Sequence, residues 1–175
     1  NDTINSIHPA ADSIFPAHCE KRDPAYNRFM RTLLESVPIF AGLSGKALDL
    51  LCREGSDYAF ADGEIIFREG EPGDSIFVIA SGKVRISRNF GEPGEVELAT
   101  LHPNELFGET CLLETLAHTA TAQAAGPTRL FNITGRTFRH LYEQMPGQYG
   151  ILMLNIARDL SRRLRQLDAA YMARR

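Results

Sequence analysis

Apolar positions change their period twice along the chain. Behind Asp23-Pro24, a capping aspartate and a proline suited to the first helical position, Tyr26, Phe29, Met30, Leu33 and Leu34 recur every three to four residues. The spacing predicts an amphipathic helix that ends near Ser36, before Pro38. Ser44 as N-cap, Leu48, Leu51 and Cys52 on one face, and Gly55 as a stop predict a second, shorter helix. Residues 1–22, broken by Pro9 and Pro16, hold no period and are expected to be extended or weakly helical.

From about Tyr58 the period falls to two. Apolar bursts at Ile65-Ile66-Phe67, Ile76-Phe77-Val78-Ile79, Val84/Ile86, Val96/Leu98 and Leu130-Phe131-Asn132-Ile133 are separated by Gly63, Gly70, Gly73, Gly82, Gly91 and Gly94. Short strands divided by turn residues at such spacing predict a β-sandwich, barrel or jelly roll. Helical spacing then returns. A short helix is expected around Thr137–Tyr142, and after Pro146 a long one carries Met153, Ala157, Leu160, Leu164, Leu167 and Tyr171 at spacings of 4, 3, 4, 3 and 4. That is a heptad seam, which packs either on the β-core or on a partner helix. Its regularity past Leu164 favours the partner and hence a homodimer.

Composition narrows the classes. The chain has 175 residues, 43% of them hydrophobic, which fits one globular domain with appendages. A net charge of −3 gives no whole-chain attraction to nucleic acid or to anionic membranes. No uncharged apolar run reaches the roughly 18–20 residues of a membrane span, since Met145 to Ala157 is broken by Pro146, Gly147 and Gln148. The opening Asn1-Asp2-Thr3 lacks an initiator Met and an export signal and reads as that of a fragment or trimmed chain. Cys19, Cys52 and Cys111 are odd in number and unpaired in spacing, so a reducing cytoplasm is expected and a zinc or disulfide framework is not.

Catalysis is not expected. His8, His18, His102, His118 and His140 are scattered with no His-x-His pair, which argues against a metal-dependent jelly-roll enzyme, and no nucleophile-base set or lysine-containing phosphate loop can be assembled. Neither catalytic residues nor metal ligands nor a cofactor are assigned. Arg158, Arg162, Arg163, Arg165, Arg174 and Arg175 outnumber Asp159 and Asp168 by four, a surplus most simply read as a solvated helix face.

Two strings carry binding chemistry. Gly70-Glu71-Pro72-Gly73-Asp74 makes a turn ahead of the Ile76–Ile79 strand, and Phe107-Gly108-Glu109-Thr110-Cys111 joins a glycine that allows close approach to a carboxylate and a short apolar run. Free N–H groups at the start of a helical turn suit an anionic phosphate, and the carboxylate suits a sugar hydroxyl. Together with Pro38-Ile39-Phe40-Ala41-Gly42-Leu43-Ser44 and the terminal helix, these strings make residues 37–167 resemble the cyclic nucleotide-binding domain family, the sensor modules of catabolite-activator-type regulators, kinase regulatory subunits and gated channels.

The resemblance implies an α+β fold. A β-roll of about eight strands, a double-stranded β-helix or jelly roll, would occupy residues 37–136, behind a lead-in and helix at 1–36 and ahead of a hinge and long dimerisation helix at 137–175. It also implies a ligand, cyclic AMP or cyclic GMP, held by Gly108, Glu109, Thr110, Cys111, His118 and Thr119, with Glu109 on the ribose hydroxyl and His118 and Thr119 at the phosphate. The family's cassette continues through Pro-Arg, whereas this chain has Ala117-His118 there, so a bidentate, permanently charged guanidinium is replaced by an imidazole. Weaker, pH-sensitive phosphate binding is therefore expected; the alternative is a degenerate module that serves as a dimerisation scaffold or takes another anion. The base-contacting pair of the catabolite-activator branch falls on Arg163-Leu164, so the family's base contact is not kept. Many relatives carry a helix-turn-helix after the long helix; none fits before Arg175, and no nucleic-acid partner is expected within this chain.

Overall fold

A computed structural model describes residues 24–110 and 117–172. The chain opens with helix α1 (Pro24–Ser36), a 3-10 turn (Pro38–Phe40) and helix α2 (Gly45–Glu54). Among the described residues eight strands follow: β1 (Ser56–Phe60), β2 (Ile65–Phe67), β3 (Ser75–Ser81), β4 (Val84–Arg88), β5 (Val96–Leu101), β6 (Leu106–Phe107), β7 (Thr121–Ala124) and β8 (Thr128–Thr134). Helices α3 (Gly135–Gln144) and α4 (Pro146–Met172) close the order. The lead-in at 1–22 and the cap at Asp23 lie outside the described residues.

The apolar stripe of α1 is buried through Tyr26, Met30, Leu33 and Leu34, as its spacing predicts. In α2 the Ser44 hydroxyl accepts from Ala47 N at 3.3 Å, and Gly55 ends the helix. A Cβ at Gly55 would stand 2.1 Å from the buried Phe131 ring, which would have to move to admit it.

The strands form two antiparallel four-stranded sheets, ordered β1-β8-β3-β6 and β2-β7-β4-β5. The first is covered on both faces, which is why Ile76-Phe77-Val78-Ile79 and Leu130-Phe131 read as unbroken apolar runs. Ile76, Val78, Leu106, Phe131 and Ile133 pack with α1, α2, α3 and α4 in one core cluster. Ile79, Phe107 and Leu130 turn the other way and meet Phe60, Val84, Ala122 and Ala124 inside the roll.

Two features differ from the sequence pattern. Val96 and Leu98 lie in a strand as expected, but β5 is a sheet edge and both side chains point outward, 54% and 55% exposed. Helix α3 is longer than the sequence suggested, because Thr134 caps it by accepting from Thr137 N, and α4 begins at Pro146 with Gly147 and Gly150 inside it.

Helix α4 has two unlike halves. Leu152 and Ile156 are buried in the helical core, and the Asn155 amide donates to the carbonyls of Ile39 (3.1 Å) and Ala41 (2.8 Å). Gln148 Oε1 accepts from Ser44 N at 2.6 Å. Beyond these anchors Leu160, Leu164 and Tyr171 are exposed. Of the heptad seam, Met153 packs partly on the chain's own core, Ala157, Leu160, Leu164 and Tyr171 face outward, and the side chain of Leu167 is not among those described.

Candidate functional site

The site begins where β6 ends. Gly108 adopts a left-handed φ of +88°, and a Cβ there would lie 2.7 Å from the carbonyl oxygen of Ser75, so only glycine brings this backbone against the start of β3. The turn carries Glu109 inward, and Glu109 and Thr110 have helical backbone. Glu109 is 6% exposed. A carboxylate so far from water needs a partner, and it has one on another element.

That partner is Arg163, on the outer half of α4. Its Nη1 donates to Glu109 Oε1 at 2.7 Å and its Nη2 approaches the Leu106 carbonyl at 3.5 Å. Nε meets Asp159 Oδ2 at 2.9 Å, one helical turn earlier, and Arg162 also bonds Asp159 at 3.0 Å. The guanidinium thus sits between two carboxylates and joins the helix to the turn that follows β6. Sequence reasoning put Arg163 on the ligand side of the helix but gave it no role. The i,i+4 spacing of Asp159 and Arg163 was the available signal; the pairing with Glu109, 54 residues away, was not.

His118 is buried, 7% exposed. Its backbone is strapped to the Gly70–Asp74 turn: His118 N donates to Glu71 O, and Gly70 N donates to His118 O, both at 2.8 Å. The ring stacks on Phe67 with centroids 3.5 Å apart and planes 6° from parallel, and Phe67 leans in turn on Phe77 and Phe107. Gly73 makes the room, for a Cβ there would stand 2.3 Å from His118 Nε2. Burial pushes the imidazole below the usual histidine value, against a smaller opposing pull from Glu71. The ring is therefore neutral at pH 7, and the window for protonation lies below about 6.5.

Of the other predicted site residues, Gly108 and Thr110 are half-buried beside Glu109, and Thr119 is exposed next to His118. Cys111 lies outside the described residues. The structure brings Gly108, Glu109 and Thr110 to one turn, with His118 and Thr119 on a separate strap.

Residues 59–145 match the family model described as "Cyclic nucleotide-binding domain". The chain is 33% identical over 135 residues to the "Cyclic AMP receptor protein" of Thermus thermophilus, covering 77% of this chain and 61% of that one. It is also similar to the crystal structure of the Thermus thermophilus catabolite activator protein, at 34% identity and a TM-score of 0.66 over the same shares of the two chains. The sensor domain of the transcriptional regulator DNR from Pseudomonas aeruginosa is 28% identical with a TM-score of 0.69, covering 82% of this chain and 94% of that domain. The chain spans about three fifths of the length of that receptor and of the CRP-like regulator of Mycobacterium tuberculosis, to which it is 29% identical.

Proposed function

The chain belongs, through residues 59–145, to the cyclic nucleotide-binding domain family, and from that premise we propose that it is a non-catalytic sensor domain for a cyclic nucleoside monophosphate. The ligand is taken at the turn of Gly108, Glu109 and Thr110, with Glu109 on the ribose hydroxyl and His118 and Thr119 beside the phosphate. Its occupancy passes to α4, which pairs with a second copy through Leu160, Leu164 and Tyr171. A cytoplasmic setting goes with this reading.

One observation carries it: the buried carboxylate that faces the ligand is held by a side chain of the helix that must respond, Glu109 to Arg163 at 2.7 Å. Ligand and helix therefore act on one group, and the size of any helix shift is capped by the ligand's differential affinity for the two helix positions.

A second reading has its own support. His118, buried, neutral and stacked on Phe67, serves the core of the roll as an aromatic filler, which suits a module that has given up nucleotide and kept the fold as a scaffold. Calorimetric titration with cyclic AMP and cyclic GMP at pH 8 separates the two. The sensor reading expects binding, tightened roughly ten- to a hundredfold by His118→Arg, because a hydrogen bond to a charged group contributes about 1.5–3 kcal/mol. No binding at millimolar ligand by either protein leaves the scaffold.

A further inference from the structure

A site for a cyclic phosphate needs a cation, and position 118 no longer supplies a permanent one. Among the described residues that contact Glu109 through side chains, the cation is Arg163. It comes from α4, not from the roll. A guanidinium has five N–H donors in a fixed plane. The hydrogen bond to Glu109 (2.7 Å) uses one of them, the 3.5 Å approach to Leu106 O weakly engages a second, and Asp159 pairs with Nε by charge at 2.9 Å, so among the described residues each terminal nitrogen keeps a donor. The Arg163 side chain is 41% exposed while that of Glu109 is 8% exposed, so the guanidinium stands at the mouth of the site with the carboxylate beneath it.

We infer that Arg163 is the anion-recognition residue of this site, a guanidinium brought by the C-terminal helix in place of the one missing at position 118. It donates to the ligand's phosphate while Glu109, still within its reach, accepts from the ribose hydroxyl. Asp159 is a positioning residue: by holding Nε it turns the terminal nitrogens toward Glu109. This rests on the sensor reading above and adds to it that phosphate charge is read by the moving helix itself.

The test is a ratio. The whole chain is titrated with cyclic AMP and with adenosine, which has the same base and ribose hydroxyls but no phosphate, in wild-type, Arg163→Gln, Arg163→Lys, His118→Arg and the His118→Arg/Arg163→Gln double variant. The preference for cyclic AMP over adenosine should fall about ten- to a hundredfold in Arg163→Gln, fall less in Arg163→Lys, which keeps the charge and loses the fork, and return in the double variant. A role confined to holding α4 against the roll would weaken both ligands alike. An unchanged preference in Arg163→Gln, or tighter cyclic AMP binding there, overturns the inference, as does binding that appears only once His118→Arg is made. Cyclic AMP binding by neither wild-type nor His118→Arg protein overturns the sensor reading itself and this inference with it. If Arg163→Gln fails to fold because Glu109 is left buried and unpaired, Glu109→Gln/Arg163→Gln removes both charges, and its ratio is compared with that of Glu109→Gln alone.

Discussion

Substituting alanine for Gly108 should be among the most costly single-methyl changes in the protein. Two costs add. An L-residue held at a φ of +88° loses about 1–2 kcal/mol relative to glycine. The new Cβ also meets the Ser75 carbonyl oxygen at 2.7 Å, a backbone atom at the start of β3 that cannot swing aside as a side chain would. Overpacking of that kind costs about 1–3 kcal/mol, for a total of about 2–5 kcal/mol. With a urea m-value of about 2 kcal/mol/M the unfolding midpoint should drop by about 1–2.5 M. Two other glycines separate the terms. Gly91 has a φ of +78° with nothing within 4 Å, so Gly91→Ala should show the backbone cost alone, about 1 kcal/mol. Gly147 lies in α4 with open space around it, and Gly147→Ala should stabilise by about 0.5–1 kcal/mol. Equilibrium urea unfolding followed by far-UV circular dichroism gives all three midpoints. If Gly108→Ala costs no more than Gly91→Ala, the tight approach of the turn to β3 is wrong, and with it the placement of Glu109.

Replacing both Leu160, 36% exposed, and Leu164, 59% exposed, by Asp should cost the monomer about 1 kcal/mol through lost helix propensity and give monomers in sedimentation velocity where the wild type is expected to be a dimer; a wild type already monomeric at micromolar concentration refutes the paired-helix seam. His118 is held below the usual histidine value, so the unfolded chain binds a proton before the folded one as pH falls through about 6.5; stability from this group is present above that value and lost below it, and His118→Gln should flatten the acid limb of a midpoint-versus-pH plot. Burial pushes the Cys52 thiol up to about 12, so it should resist iodoacetamide at pH 8 until urea unfolds the chain, with labelled peptides identified by mass spectrometry; fast native labelling at Cys52 would contradict its burial.

Local chemistry was legible where one residue type fixes one geometry. Ser44 and Gly55 bracket α2 as capping rules require, and Pro24 marks the start of α1. Doubly covered strands announced themselves as unbroken apolar runs. Short strands did not: β6 is two residues and β7, Thr121–Ala124, is half polar, so neither leaves a periodic signature, and both are defined by their partners β3 and β4. Val96 and Leu98 show the limit of alternation, which tells that a strand has two faces but not which one the sheet edge turns to water. At the site, Gly108 and Glu109 could be read from their spacing because the turn is local. The His118–Phe67 stack and the Glu109–Arg163 bond join residues 51 and 54 positions apart, and nothing within a window of a helix or hairpin encodes such a meeting.

The two anchors of α4 give it the mechanics of a lever. Asn155, bonded to the carbonyls of Ile39 and Ala41, acts as the fulcrum, and the helix runs on to Met172. At a rise of about 1.5 Å per residue, Arg163 lies roughly 12 Å and Met172 roughly 25 Å past that fulcrum. A tilt of about 10° therefore carries Arg163 by about 2 Å, enough to make or break its bond to Glu109, and carries the far end by about 4 Å. The gain, close to two, is set by where along the helix the arginine falls. Moving the cation one turn toward Asn155 would raise the gain to about four and shorten the stroke available at Glu109 in proportion.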